Sequence, residues 1–133
     1  MSLFNVFDIA GSAVSAQSLR LNTTASNLAN VDSVASEPDA VYRSRQPVFQ
    51  ALPLPDGGAG VRMLGVVESD APAVVRHDPN HPMADAEGNV FASNVDPVAE
   101  LVNMISASRS YQTNIEVMNT SKTLLLRTLS IGQ

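Results

Sequence analysis

The chain has 133 residues, of which 44% are hydrophobic and only 5% aromatic, with no Trp and no Cys. That length fits one domain, or one small domain with extended segments, and the composition requires a core of aliphatic and small side chains. A net charge of −5 excludes a nucleic-acid partner, which needs a basic footprint, and the lack of cysteine excludes disulfides and thiolate metal sites.

The first residues carry no positively charged n-region, and Asp8 interrupts the apolar stretch, so no cleaved secretory signal is expected. No run approaches the roughly 18 apolar residues of a membrane span. If the protein leaves the cytoplasm, it does so without signal cleavage. Phe7, Val14, Leu21 and Leu28 recur at seven-residue intervals, with Ala10, Ala25 and Val31 near the intervening positions. This predicts a helix from about Phe4 to Asn30, with Gly11 as its weak point. Arg20 is the only charged side chain between Ile9 and Asn30. A helix on the surface of a soluble monomer ordinarily places charge on its outer face, so this helix is expected to be enclosed by protein on several sides.

The middle of the chain has a different character. All eight prolines lie between Pro38 and Pro97, and six of the seven glycines at or beyond Gly57. Asp32–Ala40 and Pro53–Gly60 read as loops. Short apolar or alternating runs predict strands at Tyr42–Phe49, Val61–Glu68, Val74–Arg76 and Val90–Phe91, with a turn at Asp85–Asn89. His77 and His81 have the spacing of a helical metal-binding pair. Pro79 and Pro82 forbid a helix there, and no Glu follows the first His. The pair reads as a turn with exposed imidazoles; a small soluble metal-binding or enzymatic module centred on His77 and His81 is the alternative. Asp78, Asp85 and Glu87 are the carboxylates of turn-rich sequence. There is no G-x-S-x-G element. The Gly57–Gly60 run leads into a strand and lacks the following helix that a phosphate cradle needs. No catalytic residue, cofactor site or metal ligand is expected, and the chain reads as a non-enzyme.

At the C-terminal end, Leu101, Met104, Ser108, Tyr111, Ile115, Met118, Lys122, Leu125 and Leu129 alternate at spacings of three and four. The polar Ser108 and Lys122 lower stability while fixing register. Asp96 is a candidate N-cap with Pro97 at the first helical position, and Gly132 a candidate stop. Glu100 and Arg127 each stand on the favourable side of the helix dipole. The helix is placed at Pro97–Ile131, roughly 50 Å long.

The fold expected is mostly α with a small β-rich insertion: long N- and C-terminal helices form a coiled-coil-like pair, with short strands and loops between. Residues 1–31 and 96–133 supply the helical core domain, and residues 32–95 the insertion. Two helices cannot cover all sides of each other, and Ala13, Ala16, Ala25, Ala29 and Ala107 let further helices approach closely. A membrane-surface helix would instead carry Lys and Arg along its polar face. The expected partners are therefore copies or relatives of the chain. The assembly face comprises Val14, Leu21, Asn27, Leu28 and Asn30 on the first helix. On the second it comprises Leu101, Met104, Tyr111, Asn114, Ile115, Met118, Leu125 and Leu129. The asparagines are candidates for amide hydrogen bonds between neighbouring helices, because a buried unpaired amide costs about 1–3 kcal/mol.

The run Ala25-Ser26-Asn27-Leu28-Ala29-Asn30 resembles the signature of the bacterial flagellar axial proteins, the rod and hook group, with Ser12-Ala13 and Gln17-Ser18-x-Arg20-Leu21 upstream at the family's spacing. The resemblance extends through Asp78-Pro79-x-His81-Pro82-x-Ala84-Asp85-x-x-Gly88 and Asn94-Val95-Asp96. It continues to Ser106-Ala107-Ser108-Arg109-Ser110-Tyr111-Gln112-x-Asn114 and Leu126-x-Thr128-Leu129-x-x-Gly132-Gln133. Asn89 and Ser93 depart from the family's usual Tyr and Pro. The resemblance implies a structural subunit of the flagellar basal-body rod, with no cofactor and no enzymatic activity. It implies a rod crossing the periplasm, export by the flagellar type III apparatus without signal cleavage, and self-assembly beside other rod subunits. In that arrangement the terminal helices line a torque-transmitting tube around the export channel, and the insertion faces outward.

Overall fold

The computed structural model describes residues 3–55 and 57–132, so Asp56 of the expected loop and Gln133 of the closing motif lie outside the described residues. In chain order the elements are α1 (Leu3–Ala29), β1 (Val34–Ala35), β2 (Arg45–Pro53), β3 (Ala59–Glu68), β4 (Val74–His77), β5 (Asn89–Ala92) and α2 (Pro97–Ile131). This is the mostly α architecture with a small β-rich insertion that the patterning predicts. The two terminal helices pack against each other as a coiled-coil-like pair.

The helix ends follow from local chemistry. Asp96 Oδ1 accepts the N–H groups of Val98 at 2.9 Å and Ala99 at 3.3 Å, which satisfies two donors that an α-helix leaves open. At the other end, the Gly132 N–H reaches the Thr128 carbonyl at 3.2 Å. α1 stops one residue before the expected Asn30. The Asn30 N–H turns back to the Asn27 carbonyl at 3.1 Å, a tightened last turn.

Two strand boundaries move for physical reasons. β2 begins at Arg45, where the alternating pattern suggests Tyr42: the Ser44 carbonyl still accepts the Ser69 N–H at 2.8 Å, but the Ser44 N–H is taken by Asn94 Oδ1 at 2.7 Å. β2 also continues to Pro53, and β3 begins at Ala59, so the expected Pro53–Gly60 loop shrinks to a tight connection. Gly57 and Gly58 there take φ of 90° and 91°, a region that L side chains rarely adopt. β1 was read as loop. Its two residues are strand only through pairing with β5, Val34 opposite Ala92 and Ala35 opposite Phe91.

The chain forms two compact units, each discontinuous in sequence. One gathers Asn22–Gln46 and Val66–Met104. It contains an antiparallel sheet in the order β1-β5-β4, and Ala35, Val41, Val90 and Val95 are buried in it. The β4 to β5 connection is set by Asp85, whose Oδ1 accepts the N–H groups of Glu87 at 2.9 Å and Asn89 at 2.8 Å. Gly88 closes this turn at φ 79°.

The other unit gathers the described parts of Met1–Leu21, Pro47–Gly65 and Ile105–Gln133. Its buried helical side chains are Asn5, Ala10 and Ala16 on α1 and Ala107 and Ser121 on α2, none of them a large aliphatic. Here Ser12 fastens the β2–β3 ribbon to α1. Its Oγ donates to the Ile9 carbonyl at 2.8 Å and accepts the Val61 N–H at 3.0 Å. Gly60 permits that approach, since a Cβ there would stand 3.0 Å from Ser12 Oγ.

A Cβ on Gly88 would lie 3.0 Å from Pro79 Cγ and 3.1 Å from His77 Cε1, on a backbone already at positive φ. Gly88→Ala is therefore expected to lower stability by about 1–2 kcal/mol in urea unfolding. Gly65→Ala, with nothing within 4 Å of its Cβ, is expected to change it little.

Candidate assembly interface

Near the end of α1 the polar side chain of Asn27 turns inward. Asn27 has no solvent exposure. Its Nδ2 donates to the Arg45 carbonyl at 2.8 Å, and its Oδ1 accepts the Arg45 N–H at 2.9 Å. A side-chain amide thus stands in for a neighbouring strand, presenting one donor and one acceptor to the same residue. The Tyr42 hydroxyl donates to the same Oδ1 at 2.9 Å and lies 3.1 Å from Ser26 Oγ. Outside this knot, the Arg45 guanidinium sits 5.2 Å from the Tyr42 ring centroid and meets Glu68 at 2.9 Å. Both members of that ion pair are about half exposed, so it adds at most about 1 kcal/mol.

Asn94 repeats the device. Its Oδ1 accepts the Ser44 N–H at 2.7 Å and its Nδ2 donates to the Ala71 carbonyl at 2.9 Å. Two residues on, Asp96 caps α2, and in the first turn of that helix Glu100 accepts from Gln46 Nε2 at 3.1 Å. Tyr42, Ser44, Arg45 and Gln46 are thereby each tied to α1, Asn94 or α2 within one compact unit.

The residues expected on the assembly face separate into three groups. Asn27 is committed to the fold, as described. Asn30 and Asn114 are half-buried and bond their own helices, donating to the Ser26 and Ser110 carbonyls at 2.8 Å each. Val14, Leu21, Leu28, Met104, Tyr111, Ile115, Met118 and Leu125 are half-buried along the helices. Leu101 and Leu129 stand out from α2 at 50% and 67% exposure.

The most buried line on α2 runs through Ala107 and Ser121, one position beside the stripe of larger apolar side chains. That offset leaves the large side chains only partly covered. Further exposed aliphatics, Val98, Val102, Ile105, Val117, Leu124, Leu126 and Ile131, extend the apolar surface of α2. The expected stripe marks where large side chains stand. The offset of the buried line and the inward turn of Asn27 depend on three-dimensional packing that periodicity does not encode.

Nothing supports the alternative centred on the histidines. His77 Nδ1 lies 3.2 Å from Asn89 Oδ1, and His81 Nδ1 accepts the Met83 N–H at 3.1 Å. Each ring serves its own turn. Among the described residues no group of three His, Cys, Asp or Glu could hold a metal ion, and no helix is long and apolar enough to cross a membrane. A groove of about 380 Å³ is lined by Asn22, Thr23, Ser26, Arg45, Val66 and Glu68. Its two charged groups are engaged with each other, so it offers no unpaired acid, base or nucleophile of catalytic type.

The family described as "Flagella basal body rod protein" matches residues 7–35, and that described as "Flagellar basal body rod FlgEFG protein C-terminal" matches residues 86–131. The first segment contains the Asn27 knot; the second contains β5, the Asp96 cap and α2. Over its whole length the chain is similar to the flagellar basal-body rod protein FlgC of Salmonella typhimurium, 54% identical over 134 residues with both chains fully covered. The protein of the same name from Escherichia coli O6:H1 is 53% identical over 134 residues, again with full coverage of both. That of Buchnera aphidicola from Acyrthosiphon pisum is 44% identical over 136 residues, also over all of both chains.

Asn27→Ala removes the partner of the Arg45 N–H and carbonyl and of the Tyr42 hydroxyl, and is expected to cost about 2–3 kcal/mol. Tyr42→Phe removes one hydroxyl bond and is expected to cost about 1 kcal/mol. Equilibrium urea unfolding of the two variants against the parent measures both, and equal losses would refute Asn27 as the centre of the knot.

Proposed function

We propose that this chain, which belongs to the flagellar basal-body rod protein FlgC family, assembles through its terminal helices into a helical tube that surrounds an export channel and transmits torque. It is a structural rod subunit and not an enzyme. The observation that carries the tube reading is the surface of α2. Nine of its described aliphatic side chains are exposed, from Val98 to Ile131. Covering the exposed part of each is worth about 1 kcal/mol. Association itself costs about 4–15 kcal/mol. A subunit gains net stability only when most of this surface is covered at once, which favours placement in one register over partial contacts.

The assembly face proposed is the large-residue stripe with its flanks: Val14, Leu21 and Leu28 on α1, and Leu101, Met104, Tyr111, Ile115, Met118, Leu125 and Leu129 on α2. Asn30 and Asn114 flank it, while Asn27 contributes by holding the fold beneath. The partners are copies of the chain and other rod subunits. The subunit reaches a rod that crosses the periplasm through the flagellar type III export apparatus, without signal cleavage.

In this reading the ends of the free subunit are only partly ordered, and ordering is coupled to assembly. A chain that buries little on its own is also easily unthreaded for passage through a narrow channel.

Ile115→Asp, Leu28→Asp and Leu129→Asp each place a charge on the proposed face. Each is expected to abolish swimming in a bacterium whose only copy of this rod protein carries the change; motility retained by all three would exclude this face. Circular dichroism of the dilute monomer should show less helix than the 27 residues of α1 and 35 of α2 together require. A full helical signal at low concentration would exclude folding on assembly.

A further inference from the structure

Charge is divided unevenly between the two compact units. The unit of Asn22–Gln46 and Val66–Met104 holds ten carboxylates against three arginines, a net −7; the other holds three carboxylates against five cations, a net +2, and the two give the −5 of the chain. On the positive unit, α2 from Val117 to Ile131 carries Lys122 and Arg127 and no acidic residue. Neither cation forms an ion pair among the described residues. Around them Leu124, Leu126, Leu129 and Ile131 are exposed, the last at 85%.

On the negative unit, β4 is the outer strand of its sheet. Its Val74 and Val75 are exposed, at 54% and 60%, and so is nearby Met83. Asp70, four residues before β4, and Glu87, two residues before its partner strand β5, are exposed and form no ion pair among the described residues. Arg76 is the one Lys or Arg between Glu68 and Glu87.

We propose that these two faces are the two halves of one contact between copies of the chain. The apolar, cationic end of α2 of one subunit seats on the apolar, acid-flanked β4 face of the next. The inference rests on the assembly reading above and names the surface on which a copy docks. A two-fold contact through either unit sets like charge against like and is disfavoured. Opposite charges meet when the α2 end of one copy faces β4 of another. The aliphatic side chains supply the affinity, and the charges direct the encounter and fix its orientation.

Sedimentation velocity of the full chain at about 50 mM and about 500 mM NaCl tests this, because added salt screens exposed pairs. Association should weaken at the higher concentration. The double variants Lys122→Glu/Arg127→Glu and Asp70→Lys/Glu87→Lys should each associate about fivefold more weakly than the parent. Mixing the two, or combining all four changes in one chain, should restore association. All four positions are exposed, and circular dichroism checks that the variants stay folded. A parent chain that remains monomeric at low salt overturns the contact, as does a combined variant no stronger than either double. If the double variants associate normally while Leu129→Asp still abolishes motility, this contact fails and the assembly reading stands. If all three aspartate variants still swim, the assembly reading itself fails.

Discussion

The fold turns on one side-chain amide doing the work of a strand. Asn27 meets both the N–H and the carbonyl of Arg45, which a carboxylate or an aliphatic group cannot do. Without the amide, the N–H and carbonyl of Arg45 at the start of β2 lose the partner that ties them to α1. Fixing Arg45 also fixes Tyr42 above it, Glu68 beside it and, one residue on, the Gln46 bond to Glu100 at the first turn of α2. The small sheet, the start of α2 and the end of α1 are therefore organised around a residue whose side chain has three hydrogen-bond partners and no solvent.

A second constraint is the scarcity of large buried side chains. Val90 and Asn27 are the largest that are fully buried; the helix pair closes over Ala10, Ala16, Ala107 and Ser121. Small residues let two backbones approach closely and, by doing so, use little of the aliphatic surface available. The leucines, isoleucines and methionines beside that line stay partly or wholly uncovered. The chain thus divides its apolar material unequally, with the smaller side chains most buried and the larger ones left partly exposed.

Both helices were legible in the sequence because their signals are local and redundant: a seven-residue repeat, an Asp-Pro start at residues 96 and 97, and a glycine stop at 132. α2 is bounded where its caps say it should be. The strands were legible as runs but not as boundaries. Tyr42 to Ser44 carry strand-like residues, yet Asn94, fifty positions away in sequence, claims the Ser44 N–H, and Tyr42 reaches Asn27 through its hydroxyl. β1 was invisible because two residues carry no periodicity. Asparagines in the helices were read as groups seeking partners on other chains. Asn27 faces inward because the segment ending at Arg45 lies against that face of α1, a relationship no spacing rule contains. The family signature was recognisable all the same, since the residues that make the knot are the ones that spell it.

The absence of large side chains from the buried set, among the described residues, has a thermal consequence. The heat capacity of unfolding scales with the apolar surface exposed, about 12–15 cal/mol/K per residue in ordinary domains. A chain whose interior is alanine, serine and valine lies below that range, so its stability curve is broad and shallow. In the proposed assembly the larger aliphatic groups would be covered only when subunits join, and the response to cooling that accompanies apolar burial would then fall chiefly on the joints between subunits.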